Sequence, residues 1–324
     1  MRRRDFITLV GGAAGAWPLA ARAQQPSLLL VGWLGVGPPQ ANDLAAFRRG
    51  LNEQGYAEGR NVAIEFRISG QYGDLPTLAA ELVRRRVAVI FTITSLIAAQ
   101  TAKAATSTVP IVFTVGVDPV KFGLIASLNR PGGNATGVTF LGAQLGPKRL
   151  ELARELVPQA AVIGVLVNPN NPASLDDAAN MQAAARSVGQ SIIVFNASAA
   201  DEIDAAFADL DRQRAGALVV DGDAYLNSRR DQLVGLAARY AIPTIYFFRD
   251  FVQAGGLMSY SDDRFETTRQ AGLYVGRILK GENAADLPVV QPTKFELFIN
   301  VKTAKALGLT IPESFLLRAD EVIE

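Results

Sequence analysis

The 324-residue chain is 49% hydrophobic and 19% charged, carries a formal net charge of +1, and contains neither cysteine nor histidine. Without cysteine it has no disulfides, thiol nucleophiles, zinc–thiolate sites or iron–sulfur clusters; without histidine it has no Ser-His-Asp triad, imidazole proton shuttle or His-ligated metal. Carboxylate, lysine and tyrosine chemistry survive, and the length predicts two domains, each large enough for its own core.

Residues 1–23 read as a signal peptide. Arg2, Arg3 and Arg4 form a basic start, Phe6 to Ala21 is apolar or small apart from Thr8, and Ala21-Arg22-Ala23 predicts cleavage before Gln24. Arg3-Arg4 followed by Asp5-Phe6-Ile7 matches the twin-arginine pattern, which routes already folded proteins outward to the periplasm. Removing this segment takes four arginines against one aspartate and leaves a net charge of −2. No basic surplus remains to neutralise phosphates, and no later apolar run reaches a membrane span. The expected mature protein is soluble and binds no nucleic acid.

Beyond the leader, short apolar runs alternate with amphipathic stretches. The runs Leu28–Trp33, Ala88–Thr92, Pro110–Thr114, Val162–Val167, Ser191–Phe195, Ala217–Val220 and Pro243–Phe247 are continuously apolar, as in parallel strands covered on both faces. Asp74 is placed to cap a helix through Leu82, and Ser198 with Asp201 has the form of a capping box. The alternation predicts doubly wound α/β lobes. It breaks at residues 129–146, again at Ala254-Gly255-Gly256 before a strand Leu257–Tyr260, and again across 280–292 before Phe295–Asn300 and Lys302–Leu307. Three breaks predict a chain that crosses between two lobes more than once and so forms a hinged cleft.

The motifs that could carry chemistry are few. Gly32-x-x-Gly35-x-Gly37 has the reverse of dinucleotide spacing and runs into Pro38-Pro39, so it reads as a permissive turn. No cofactor or metal motif is present. Asp221, Asp223, Asp262 and Asp263 end or follow strands and could serve a hydrolase, but no partner set accompanies them, and caps and turns are the commoner use of Asp. An enzyme is the least expected class.

The informative pattern is positional, because open α/β sheets bind ligands beyond the carboxyl ends of their strands. There the chain places Thr94 and Ser95; Thr114, Gly116 and Asp118; Asn168 and Asn170; Asp221 and Tyr225; and Tyr246 and Arg249. Ser95, Asp118 and Asn171 directly precede expected helices, whose N-termini hold carboxylates. Tyr225, Tyr246, Phe247 and Phe248 are candidate aromatic walls. Trp33, the only tryptophan after the leader, is expected beside the cleft as a reporter of closure.

Several segments together resemble one family. They include the twin-arginine leader, Gly50-Leu-Asn-Glu-Gln-Gly-Tyr-Ala-Glu-Gly-Arg-Asn61, Leu75-Pro-Thr-Leu-Ala-Ala-Glu-Leu-Val83, Lys103-Ala-Ala-Thr106 before Val109-Pro-Ile-Val112, Gly116-Val-Asp-Pro-Val120 and Ser127-Leu-Asn-Arg-Pro-Gly-Gly-Asn134. Leu166-Val-Asn-Pro-Asn-Asn-Pro172, Asn227-Ser-Arg-Arg-Asp-Gln232, Gly255-Gly-Leu-Met-Ser-Tyr260 and Gln291-Pro-Thr-Lys-Phe-Glu-Leu297 continue the likeness over essentially the whole chain. The chain is similar to ABC-transporter substrate-binding proteins of the tryptophan/tyrosine-binding type. The resemblance implies a type I periplasmic binding-protein fold with two Rossmann-like lobes and three crossovers. Combined with the breaks, it divides the chain into a first lobe of 24–140 plus about 260–284 and a second of 141–259 plus about 285–324. It also implies a monomer that binds a small carboxylate-bearing ligand, such as an amino acid, and delivers it to a membrane permease and ATPase. Family sites would map onto Thr94-Ser95, Thr114 to Asp118, Asn168, Asp221 and Tyr246. One stretch departs from the pattern: Ser261 to Thr268 is more charged than in relatives, with Thr268 about where they carry a tyrosine. At the cleft, this would argue against an aromatic amino acid. A periplasmic sensor reporting to a signalling receptor would share the fold, and neighbouring permease and ATPase genes would distinguish the two.

Overall fold

The computed structural model describes residues 28–140, 142–292 and 294–324. The segment read as a leader, with its twin arginines and cleavage site, lies outside the described residues.

The first lobe contains β1 (Leu29–Val36), β2 (Val62–Ser69), β3 (Val89–Thr92), β4 (Ile111–Val115) and β5 (Ala135–Thr139). They form one sheet in the order β2-β1-β3-β4-β5, parallel throughout. Side chains alternate between its faces with the period of two that a strand imposes. Leu34, Ile90 and Phe113 pack toward α2 (Leu75–Arg84) and α3 (Leu96–Ala105). Val31, Trp33, Val89, Phe91 and Val112 pack toward α1 (Ala41–Glu53) and α10 (Arg264–Leu279).

The second lobe contains β6 (Val162–Val167), β7 (Ser191–Asn196), β8 (Ala217–Val220), β9 (Thr244–Tyr246), β10 (Met258–Asp262), β11 (Phe295–Asn300) and β12 (Glu321–Ile323). Their order is β12-β11-β10-β9-β8-β6-β7, with β10 and β11 antiparallel and the other pairs parallel. One face carries α4 (Gly142–Leu156), α5 (Pro172–Ser187) and α12 (Glu313–Leu316). The other carries α6 (Ala200–Arg212) and α8 (Arg230–Arg239). Short helices α7 (Ala224–Ser228), α9 (Arg249–Gln253) and α11 (Val301–Ala306) complete the lobe. The molecule is thus an α/β protein of two doubly wound lobes, the architecture expected above.

The chain passes between the lobes three times: after β5, between β10 and α10, and between Val290 and β11. The excursion expected at about 260–284 runs from Asp263 to Val290. Backbone pairing sets both limits, since β10 stays bonded to β9 and β11 through Asp262, and Val290 bridges Val138 of the first lobe.

Three strands escape a search for continuous apolar runs, each for a physical reason. β2 is an edge strand whose Glu65 and Arg67 alternate with apolar residues, β5 reads Ala-Thr-Gly-Val-Thr, and β12 is a three-residue edge. Two expected caps also differ. Asp74 makes no capping bond and accepts from Ser69 Oγ at 2.6 Å instead. Ser198 bonds Glu202 through both its amide and its hydroxyl, so Ala199 takes the cap position of α6. Trp33 is fully enclosed in the first lobe's core, with ring centroids of Phe91, Phe47 and Phe66 at 4.7, 5.2 and 5.6 Å, and does not border the cleft.

Candidate functional site

The carboxyl ends of the two sheets face one another and enclose a cavity. The first lobe contributes Thr94, Leu96, Gly116, Val117 and Phe140; the second contributes Asn171, Ala173, Asp177, Asp221, Gly222 and Phe247. The lobes are drawn together around it, leaving a free volume of about 30 Å³, the room of about one water molecule.

The first-lobe wall offers hydrogen-bond donors and no acid. Ser95 caps α3, its hydroxyl accepting from Ala98 N at 3.1 Å, so the positive end of that helix lies beside the cavity. Thr94 stands at φ 48°, a conformation β-branched residues rarely adopt, and its amide is pinned by Thr114 Oγ1 at 2.8 Å. Such backbone strain persists where the surroundings over-determine it, commonly at ligand clamps. A Cβ on Gly116 would meet the Phe140 ring at 2.6 Å, and one on Gly222 would meet the Phe247 ring at 2.4 Å. Glycine at these strand ends lets the two rings approach edge to face across the cleft, with centroids 5.8 Å apart.

The second-lobe wall is acidic. Asp221 accepts from Ser174 Oγ, and the neighbouring Asp177 is paired through Oδ2 to Arg149 Nη2 at 3.0 Å. The Arg149 guanidinium lies 4.4 Å over the Phe247 ring. Burial raises the Asp177 carboxyl well above its ordinary range; Arg149 partly offsets this, and the adjacent Asp221 adds to it. One cation thus answers two carboxyls, and Asp221 lies on the cavity surface. The two walls have opposite polarity.

Of the residues singled out from sequence, the cavity brings together Thr94, Gly116, Asn171, Asp221 and Phe247, with Ser95 and Thr114 holding Thr94 and α3 from behind. Asp118 lies exposed outside it, accepting from Val120 N at 2.8 Å to close a turn. Asn168 turns from the cavity to Asp223, donating through Nδ2 at 3.1 Å, and its own Oδ1 accepts from Asn170 N. Tyr225 is buried in α7 under the Arg229 guanidinium, 5.3 Å from its ring. Tyr246 points to the face opposite the expected one, stacked on Phe251 at 4.6 Å, and lines a separate cavity of about 550 Å³ within the second lobe. Strand alternation is the reason: Phe247, one residue later, takes the cleft position. Thr268 donates to Arg264 O inside α10, and no residue of the charged departure at 261–268 lines the cavity.

Arg149, Asp177 and Tyr72 were not anticipated. Arg149 and Asp177 lie on α4 and α5, where no motif marks them. Tyr72 follows β2, an edge strand without an apolar run.

The sequence pattern of the family described as ABC transporter substrate binding protein matches residues 37–323. A curated relative, the tyrosine-binding protein of Clostridioides difficile, is 30% identical over 267 residues, covering 81% of this chain and 75% of that protein. Among solved structures, an ABC domain from Streptococcus pneumonia in complex with L-Trp is 28% identical with a TM-score of 0.83, covering 92% of this chain and 100% of that one. A conserved domain protein from Vibrio cholerae is 26% identical with a TM-score of 0.81, covering 91% and 99%.

Proposed function

The chain belongs to the family of ABC transporter substrate-binding proteins, and from that premise we propose that it binds an amino acid with a free ammonium group between its lobes. The opposed polarity of the cleft walls carries this reading. The ligand carboxylate faces Thr94 and the N-terminus of α3, its ammonium faces Asp221, and its side chain lies against Phe140 and Phe247. The two aromatic rings favour an aromatic or large apolar side chain. The curated relative binds tyrosine by name and a solved relative holds L-Trp, in keeping with this class.

The chain acts by grip and release, as a monomer exported to the periplasm, and delivers its ligand to a permease and ATPase. Contacts to both lobes exist only when they close, so the ligand stabilises the closed state by that difference in affinity. Among the described residues no helix is long and apolar enough to cross a membrane.

The test is a thermal-shift and calorimetric panel. L-Trp, L-Tyr, L-Phe and L-Leu are set against 3-phenylpropionate, which keeps the carboxylate and ring but lacks the amine. At least one amino acid raises the melting temperature, and 3-phenylpropionate does not. Asp221→Asn weakens the amino acid by about 2 kcal/mol, roughly thirtyfold. The reading fails if no amino acid stabilises the protein, or if the deaminated acid binds equally well.

A further inference from the structure

Tyr72 lies in the turn after β2 of the first lobe, and its hydroxyl donates to Asp223 Oδ2 of the second lobe at 2.6 Å. Each partner is held in place by its own lobe. The Tyr72 turn is fixed by Ser69, whose Oγ donates to Asp74 at 2.6 Å and accepts from Gln71 N at 3.0 Å. Asp223 caps α7, accepting from Leu226 N at 3.0 Å, and also accepts from Asn171 Nδ2 at 2.8 Å and Asn168 Nδ2 at 3.1 Å. Three donors come from the second lobe, and the fourth reaches across from the first.

The same gap is crossed by Lys121 with Asp176 at 2.6 Å and by Arg230 Nη1 with Gln40 Oε1 at 3.3 Å. The Lys121 side chain is 55% exposed, so that pair is screened and contributes little. Asp223 is only 1% exposed, and a buried hydrogen bond to a carboxylate is the stronger kind. Burial and the Asp223 carboxylate hold the Tyr72 hydroxyl well above its usual titration range, so it stays a donor. These contacts join the two lobes directly.

We propose that Tyr72 and Asp223 form a latch that favours the closed cleft, and that ligand entry and release require this latch to open. Tyr72 is then a positioning residue that acts on the ligand through lobe geometry. The latch itself does not depend on which ligand the cleft takes; its effect on entry rests on the amino-acid reading above.

The chain has no cysteine, so two introduced ones can carry spin labels without interference. Thr77→Cys on α2 and Ala183→Cys on α5 are both exposed, one on each lobe. In the ligand-free protein, Tyr72→Phe raises the open-to-closed ratio in the measured distance distribution about tenfold. The control is Tyr274→Phe, which loses a bond of equal length to Pro288 O within the first lobe, 2.6 Å. It leaves the distribution unchanged. With L-Trp as probe, Tyr72→Phe also speeds association severalfold, because a larger fraction of molecules is open to binding. The latch is overturned if Tyr72→Phe and wild type give the same distances, or if Tyr274→Phe shifts them equally. Failure of wild type to bind L-Trp or any other amino acid would sink the amino-acid reading, while the ligand-free distances still decide the latch.

Discussion

Arg149 and Asp177 form a salt bridge at 3.0 Å with side-chain exposures of 0% and 3%, directly behind the acidic wall of the cleft. A buried pair is costly to break, because the survivor is left charged without compensation. Arg149→Met is therefore expected to lower stability by about 3 kcal/mol at pH 7. Asp177 already titrates above its usual range, and losing the cation moves it higher still. Protonation then relieves the buried charge, so the deficit shrinks at pH 5. Urea unfolding at the two pH values measures both effects; an equal deficit at both would contradict the assignment.

Asp262, at the crossing from β10 to α10, accepts from Thr267 Oγ1 at 2.6 Å and is pushed by burial up to about 7. The folded state thus holds this proton more tightly than the unfolded chain, where an aspartate ordinarily titrates at 3.8. The sign follows: this residue's contribution to stability is greatest below about pH 4 and is lost as pH rises through 7. Over that window the loss amounts to roughly 4 kcal/mol. Asp262→Asn, which stays neutral, is expected to be more stable than wild type at pH 8, with the gap narrowing toward pH 5. Parallel denaturation series at pH 5 to 8 test this; a gap that widened on acidification would reverse the assignment.

Helices α1 and α10 come from distant parts of the chain and meet backbone to backbone. A Cβ on Gly272 would lie 2.2 Å from Phe47 O, and neither backbone can yield without moving its helix. Gly272→Ala is expected to cost about 3 kcal/mol despite its better helix propensity. A melting temperature equal to or above wild type would show that the two helices are less tightly fixed.

Trp33 sits against Phe47, Phe66 and Phe91 in the first lobe's interior. In a Trp17→Phe chain its emission should be blue-shifted, and protected from acrylamide. It should also remain unchanged when an amino acid raises the melting temperature. A large change on binding would place the ring nearer the moving surfaces than its packing indicates.

The local sequence determined the strand-helix rhythm, the breaks where the chain changes lobe, and the strand ends from which a ligand site is built. Continuous apolar runs mark buried parallel strands, and Ser95 and Asn171 announce the helices that they do cap. The identity of the site residues was only partly legible. Thr94, Gly116, Asn171, Asp221 and Phe247 reach the cavity, whereas Tyr246 faces away because a single step along a strand reverses a side chain. Arg149 and Asp177 become a buried pair only when α4 packs beside α5, and no spacing in the sequence distinguishes them from solvated helix residues. Tyr72 and Asp223 stand 151 positions apart and meet only across the closed cleft. Local propensity and periodicity fix elements and their ends. Which polar groups are removed from water, and which charges they then require as partners, is decided by the packing of distant segments.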